Sequence, residues 1–172
     1  FMEFQKRAVE QTRMRLPREK SLIGFVGGPW TLFVYAVEGS HKGTLYKSKG
    51  HMDWYLSFCE KMIPLLKENI RLQLEGGAES VVMMDTAAGE LSADVFNSLI
   101  APQLQTLADQ FHGRLAYYTK GTVADHLVSL RQNQSWAGFG YDHRWDMGQL
   151  LKNSKSGFVQ GNLDQNLFLL EP

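Results

Sequence analysis

Apolar positions in this chain follow two rhythms that take turns. Five short runs are apolar almost throughout and rich in β-branched or aromatic residues: LIGFVG (22–27), ESVVMMD (79–85), RLAYYT (114–119), WAGFGY (136–141) and GFVQG (157–161). Runs of this length and composition read as strands covered on both faces. Longer stretches between them carry apolar residues at helical spacing. Residues 2–15 suit a helix, with Phe4, Ala8, Met14 and Leu16 on one side and Lys6, Arg7, Arg13, Arg15 and Arg18 as a solvated face. Pro17 ends it, because proline disfavours helical geometry in the residue before it. Residues 53–75 place Trp54, Phe58, Met62, Leu66, Ile70 and Leu74 at steps of four, an amphipathic helix that Pro64 is expected to kink or split. Ser92 offers an N-cap to a helix bearing Val95, Phe96, Leu99, Ile100, Leu107 and Phe111. Two further helices are expected at VADHLVSLRQ and around 145–153.

Strand–helix alternation without hairpin turns points to right-handed βαβ units and a parallel sheet. The expected order is (βα)4β in a single α/β domain. The chain has no sequence repeat, low-complexity segment or interdomain linker. Its one long connection, about residues 36–52, is rich in Gly, Ser and Lys. At that length it is expected to be a functional lid or a disordered segment.

Composition changes this picture little. Of 172 residues, 44% are apolar and 21% charged, with Lys+Arg and Asp+Glu both at 18. A zero net charge carries no electrostatic footprint for nucleic acid or an anionic membrane, and no apolar run reaches the ~18–20 residues of a membrane span. Cys59 is the only cysteine. It excludes an internal disulfide, fits a reduced compartment such as the cytoplasm, and reads as a packed helix thiol. The chain opens at Phe1 in helix-like text and closes on NLFLLEP, as expected of the middle of a longer protein.

In parallel α/β folds, ligands bind at the carboxyl ends of the strands. That rule selects GGPWTLFVY, DTAAG, YTKG, YDHRWD and QGNLD. Each also has an ordinary role open to it: Asp142 or Asp146 as an N-cap, Gly89 and Gly121 as turns. The histidines, at 41, 51, 112, 126 and 143, form no HxH or HExxH spacing, and no CxxC is present, so no metal site is expected. GFVGGP lacks both the GxGxxG and GK[ST] phosphate-loop patterns, and no GxSxG nucleophile elbow occurs.

Taken together, LIGFVGGPWTLFVYAVEGS, VMMDTAAG, YYTKG, GFGYD and VQGNLD resemble, in order and interval, the uroporphyrinogen decarboxylase family, from about Arg13 to Leu167. The resemblance implies a partial (β/α)8 TIM barrel of about five parallel strands. It also implies a cytoplasmic homodimer that converts uroporphyrinogen III to coproporphyrinogen III without metal or organic cofactor, by decarboxylating four acetate side chains. It further implies two substrate-binding residues. Tyr35 matches the tyrosine that follows the PWT block, and Thr86 matches the hydroxyl of the FDS/FDT motif. Here Met84 replaces that motif's aromatic, and Ala87 stands where another aromatic is usual. The family's N-terminal arginines, its aspartate below the pyrrole ring and its late histidine have no counterpart in these residues, so catalytic residues are unassigned and the 172 residues alone are expected to be inactive.

Two alternatives stand beside this. The related corrinoid-dependent methyltransferases typically carry a His-x-Cys zinc pair after the strand that here reads LAYYTKG, which has neither residue. A non-catalytic tetrapyrrole-binding fragment is the other. Five strands are further expected to leave two open sheet edges and an uncovered inner face.

Overall fold

A computed structural model describes residues 2–40, 42–154 and 156–170; His41 lies outside them. Five parallel strands form one sheet: β1 (Ile23–Gly27), β2 (Ser80–Asp85), β3 (Leu115–Thr119), β4 (Trp136–Tyr141) and β5 (Phe158–Gly161). They lie in chain order, β1-β2-β3-β4-β5. A doubly wound sheet would reverse direction at a switch point. Strictly sequential order, with a helical connection after each of the first four strands, is the wall of a (β/α)8 barrel, of which this chain forms five strands.

The helices are α1 (Glu3–Arg15), α2 (Pro29–Glu38), α3 (Tyr46–Gly50), α4 (Asp53–Glu75), α5 (Ala93–Val95), a π segment (Phe96–Ile100), α6 (Ala101–Gln110), α7 (Ala124–Gln132) and α8 (Met147–Asn153). The strand periodicity of two separates the sheet's faces. Val26, Val81, Met83, Leu115 and Tyr117 point to the helix side and are fully or almost fully buried. Of the other parity, Val82 and Ala116 at the middle of the sheet are buried, while Ile23, Phe25 and Met84 are exposed, Phe25 to 71%. Within this chain the strands are therefore covered on one face, not two as their unbroken apolar text implied. Residues from β1, β2, β3 and β5 together line a cavity of about 350 Å³ on the uncovered face, among them Phe25, Met84, Tyr118 and Gln160. First and last strands border one hollow, so this face is concave.

β1 and β5 each have a single strand neighbour. The free edge of β1 is partly satisfied nonetheless. Gln73 of α4 accepts from the Phe25 amide at 3.0 Å and donates to the Phe25 carbonyl at 2.9 Å. Gly24 makes room for this, since a Cβ there would lie 2.2 Å from the Gln73 side-chain oxygen.

Pro64 does not split its helix: α4 runs unbroken for 23 residues. The proline sits on the exposed side, while Cys59, Ile63, Leu66 and Ile70 are buried around it. The step-of-four stripe drifts around a 3.6-residue helix. Trp54 at its start is therefore exposed while Leu66 and Ile70 are buried, and the buried side begins with Tyr55, Cys59 and Ile63 instead. Burial pushes the Cys59 thiol above its ordinary value, which suits a packed thiol. The 36–52 connection holds α3, whose start is anchored by Ser48 donating its backbone N–H to Glu38 at 2.9 Å, with Leu45 buried.

Candidate functional site at the carboxyl ends of the strands

β1 ends in Gly27-Gly28-Pro29, and α2 begins at once. Pro29 occupies the first helical turn, where its missing N–H costs nothing. Trp30, Phe33, Val34 and Val37 then follow at helical spacing, and the first three are buried. The aromatic material after the double glycine is thus a helix packed on the sheet, which the run of apolar residues alone did not identify.

The N-cap of α2 is Gly28, which has no side chain to cap with. The cap comes from the next strand. Asp85, the last residue of β2, accepts the Thr31 amide at 3.2 Å and the Thr31 hydroxyl at 2.6 Å on one carboxylate oxygen. Its other oxygen accepts the Tyr117 hydroxyl of β3 at 2.9 Å. Gly28 permits this approach, because a Cβ there would stand 2.7 Å from Cβ and Cγ of Asp85. Asp85 and Tyr117 are 0% exposed. Burial pushes the Asp85 carboxyl up, and the hydrogen bonds from Thr31 and Tyr117 oppose that. Burial and the neighbouring carboxylate push the Tyr117 phenol well above its ordinary value.

The turn after β2 is tied to the same helix. Thr31 Oγ accepts the Ala87 amide at 3.1 Å, and the Trp30 indole N–H donates to the Ala87 carbonyl at 3.0 Å. Further round, the loops after β2 and β3 touch. The Gly89 amide donates to the Lys120 carbonyl at 3.0 Å, and a Cβ on Gly89 would lie 2.2 Å from the Gly121 backbone. Gly121 turns with φ +75°. Its amide donates to Asp142, at the end of β4, at 2.6 Å. Asp142 also accepts the Arg144 backbone amide and its guanidinium. Burial alone would raise the Asp142 carboxyl, yet these donors and the Arg144 charge hold it below its ordinary value. Asp142 is therefore a loop clamp, while Asp146 caps α8 by accepting the Gln149 amide at 3.0 Å. Ser92 caps α5 through the Val95 amide.

Tyr35 and Thr86 both follow the carboxyl ends of neighbouring strands. Tyr35 lies on α2, 44% exposed, and Thr86 is half-buried in the turn after β2. The side chains lining the inner-face cavity do not include either. A hollow of about 410 Å³ opens on the helix side between α7 and α8, over Trp136, Phe139 and Tyr141, and draws no lining residue from β1 or β2. No cluster of three or more His, Cys, Asp or Glu able to hold a metal occurs among the described residues. His126 is buried and structural. Its Nδ1 accepts the Val123 amide, which leaves Nε2 to donate to the Leu91 carbonyl at 2.9 Å. Sequence reading missed Asp85, Thr31 and Tyr117 as a bonded set. The available signal was parity: Asp85 shares the helix-side face with Val81 and Met83 and is the polar member of a buried row.

Comparison with known proteins agrees with this geometry. A solved methyltransferase from Methanosarcina mazei superposes with a TM-score of 0.64 at 15% identity, over 91% of this chain and 47% of that one, a likeness of fold. A curated uroporphyrinogen decarboxylase from Helicobacter hepaticus is 31% identical over 164 residues, covering 88% of this chain and 47% of its own. One from a Synechococcus species is 31% identical over 188 residues, covering 99% and 51%. The chain thus spans about half the length of the curated relatives it matches. The family model described as "Uroporphyrinogen decarboxylase (URO-D)" matches residues 1–172, and the chain belongs to that family.

Proposed function

We propose that this chain is the middle arc of a uroporphyrinogen decarboxylase barrel, a single incomplete domain whose Tyr35 and Thr86 contact the substrate. One observation carries the reading. The two blocks that bear these residues, PWTLFVY and DTAAG, meet at one end of the sheet and are bonded to each other through Asp85, Thr31 and Ala87.

Each turnover of an acetate arm exchanges a carboxylate for a proton. A pyrrole carbon is protonated, the C–C bond to the carboxylate breaks into the cationic ring, and carbon dioxide leaves. A second protonation at the arm gives a methyl group, and the ring proton is lost. The protein's task is to hold an octa-anionic macrocycle and stabilise transient positive charge, which preorganised electrostatics can do without a cofactor. Tyr35 and Thr86 are neutral hydroxyls suited to orienting substrate. The charges that grip carboxylates and face the ring belong to parts of the family's chain outside these residues. The 172-residue chain is accordingly expected to be inactive alone, and the full-length protein to work as a cytoplasmic homodimer.

The test is turnover of uroporphyrinogen III by the full-length natural protein, followed as coproporphyrinogen III and carbon dioxide. Stepwise loss of four carboxylates is expected. Folded full-length protein that yields no decarboxylated product overturns the reading. So does product formation by residues 1–172 alone, which would place the catalytic charges inside this chain.

A further inference from the structure

We infer that Asp85 is a positioning residue for the substrate-contacting hydroxyls, acting through Thr31 to hold the start of α2 and the Thr86 turn in one fixed relation. The inference rests on the functional reading above. Its geometry stands independently of it.

Thr86 is bracketed. The residue before it, Asp85, binds Thr31 through its carboxylate, and the residue after it, Ala87, binds Thr31 through its amide. A single threonine on α2 thus closes a ring around Thr86. The Ala87 carbonyl is taken as well, by the Trp30 indole. Ala87 is consequently fixed at both its polar backbone atoms by consecutive residues of α2. Tyr35 lies four residues beyond Thr31, one helical turn along the same face. The residue that fixes Thr86 is therefore the one that sets the rotation of the helix presenting Tyr35.

Asp85 is the anchor of that ring. It supplies the helix cap that Gly28 cannot, with its carboxylate at the positive end of α2, and Tyr117 pins its second oxygen. A buried acid met only by neutral donors is an expensive means of stabilising a fold. Replacing the acid and its donors together by apolar groups of the same shape can be nearly neutral for stability. What the acid does supply is direction: three donors converging on two oxygens allow one arrangement of strand end, helix start and turn.

Full-length protein carrying Asp85→Ala, Asp85→Asn or Gly28→Ala provides the test. Asp85→Ala is expected to lower kcat/KM for uroporphyrinogen about tenfold. Asp85→Asn keeps an oxygen for both Thr31 donors and should stay within about threefold of the native value. In a Tyr35→Phe/Thr86→Ala background, Asp85→Ala should cost less than about twofold more, because the groups it positions are gone. An equal loss in both backgrounds would show a general structural role and overturn the inference.

A second readout needs no activity. Hydrogen exchange at the Thr31 and Ala87 amides should accelerate together in Asp85→Ala and in Gly28→Ala, whose methyl group would displace the carboxylate, while β3 stays protected. Acceleration at only one of the two amides overturns the inference, whatever the substrate proves to be. A native full-length protein that does not turn over uroporphyrinogen overturns the functional reading instead, and leaves the exchange result to decide the coupling.

Discussion

The two faces of the one sheet are built from the same apolar alphabet and live in different solvents. On the helix side, Leu115, Tyr117, Val81 and Met83 are wholly buried, and the face tolerates a carboxylate only where three donors meet it at Asp85. On the concave side, Phe25 and Ile23 stand in water and Met84 is 39% exposed. Gly138 and Gly140 of β4 leave room there for the Phe158 and Tyr118 side chains. One face is finished by this chain's own helices. The other presents a barrel interior whose opposite wall, in the proposed whole, comes from the remainder of the protein. Apolar text in a strand thus reports where burial is intended, and not which segment provides it.

That contrast can be broken most directly by truncating one residue on each face. Leu115→Ala should destabilise this chain by about 2–5 kcal/mol, the range for a leucine removed from a packed core. Phe25→Ala should change stability by less than about 0.5 kcal/mol, since the ring is already hydrated. Urea unfolding of both variants decides it, and a large loss at Phe25 would mean that the concave face is covered in solution.

The next effect concerns the one polar site on the buried face. Tyr117→Phe deprives a buried carboxylate of a donor and should cost about 1–3 kcal/mol. A loss within error would show that Asp85 is satisfied without it.

Two carboxylates at the same end of the sheet should respond to pH with opposite sign. Asp85 is raised by burial, so its contribution is fullest below the ordinary aspartate value of 3.8 and is lost as pH rises through the folded value. Asp142 is lowered, so its contribution is present above 3.8 and is lost as pH falls through the folded value. Asp142→Asn should therefore cost about 1 kcal/mol at neutral pH, with the two stability curves converging in strong acid. A constant gap down to the acid limit would contradict the Arg144 and Gly121 contacts as its cause.

The smallest change lies under α2. The Tyr55 hydroxyl is buried with only the weakly bonding Cys59 thiol as a partner, so Tyr55→Phe should raise stability by about 0.5 kcal/mol. A thermal melt showing a loss would reveal a stronger partner for that hydroxyl.

Much of the fold was legible in the sequence because it depends on local patterning. Apolar runs of five or six residues, alternating with helical stripes, were enough to place all five strands and to argue parallel pairing, since neither needs more than the spacing of side chains along the chain. α2 was not legible: apolar Tyr35 and Ala36 on its exposed side mask the buried stripe of Trp30, Phe33 and Val34, and only the proline at its first turn marked it. Of the two outcomes open at Pro64, a split did not occur: the proline lies on the exposed side of an unbroken helix. The residues Tyr35 and Thr86 came from motif resemblance, and residue type alone said nothing about what steadies them.

Sequence by itself determined the family, the strand order's raw material and the two hydroxyls worth testing. Only the tertiary structure decided that the glycine just after β1 and the aspartate ending β2 form one helix cap. They stand 57 positions apart, and no periodicity records a contact made across a sheet. The same holds for the exposed concave face. Burial is a property of what packs against a residue, and that is settled in space, after the chain has already specified what each residue is.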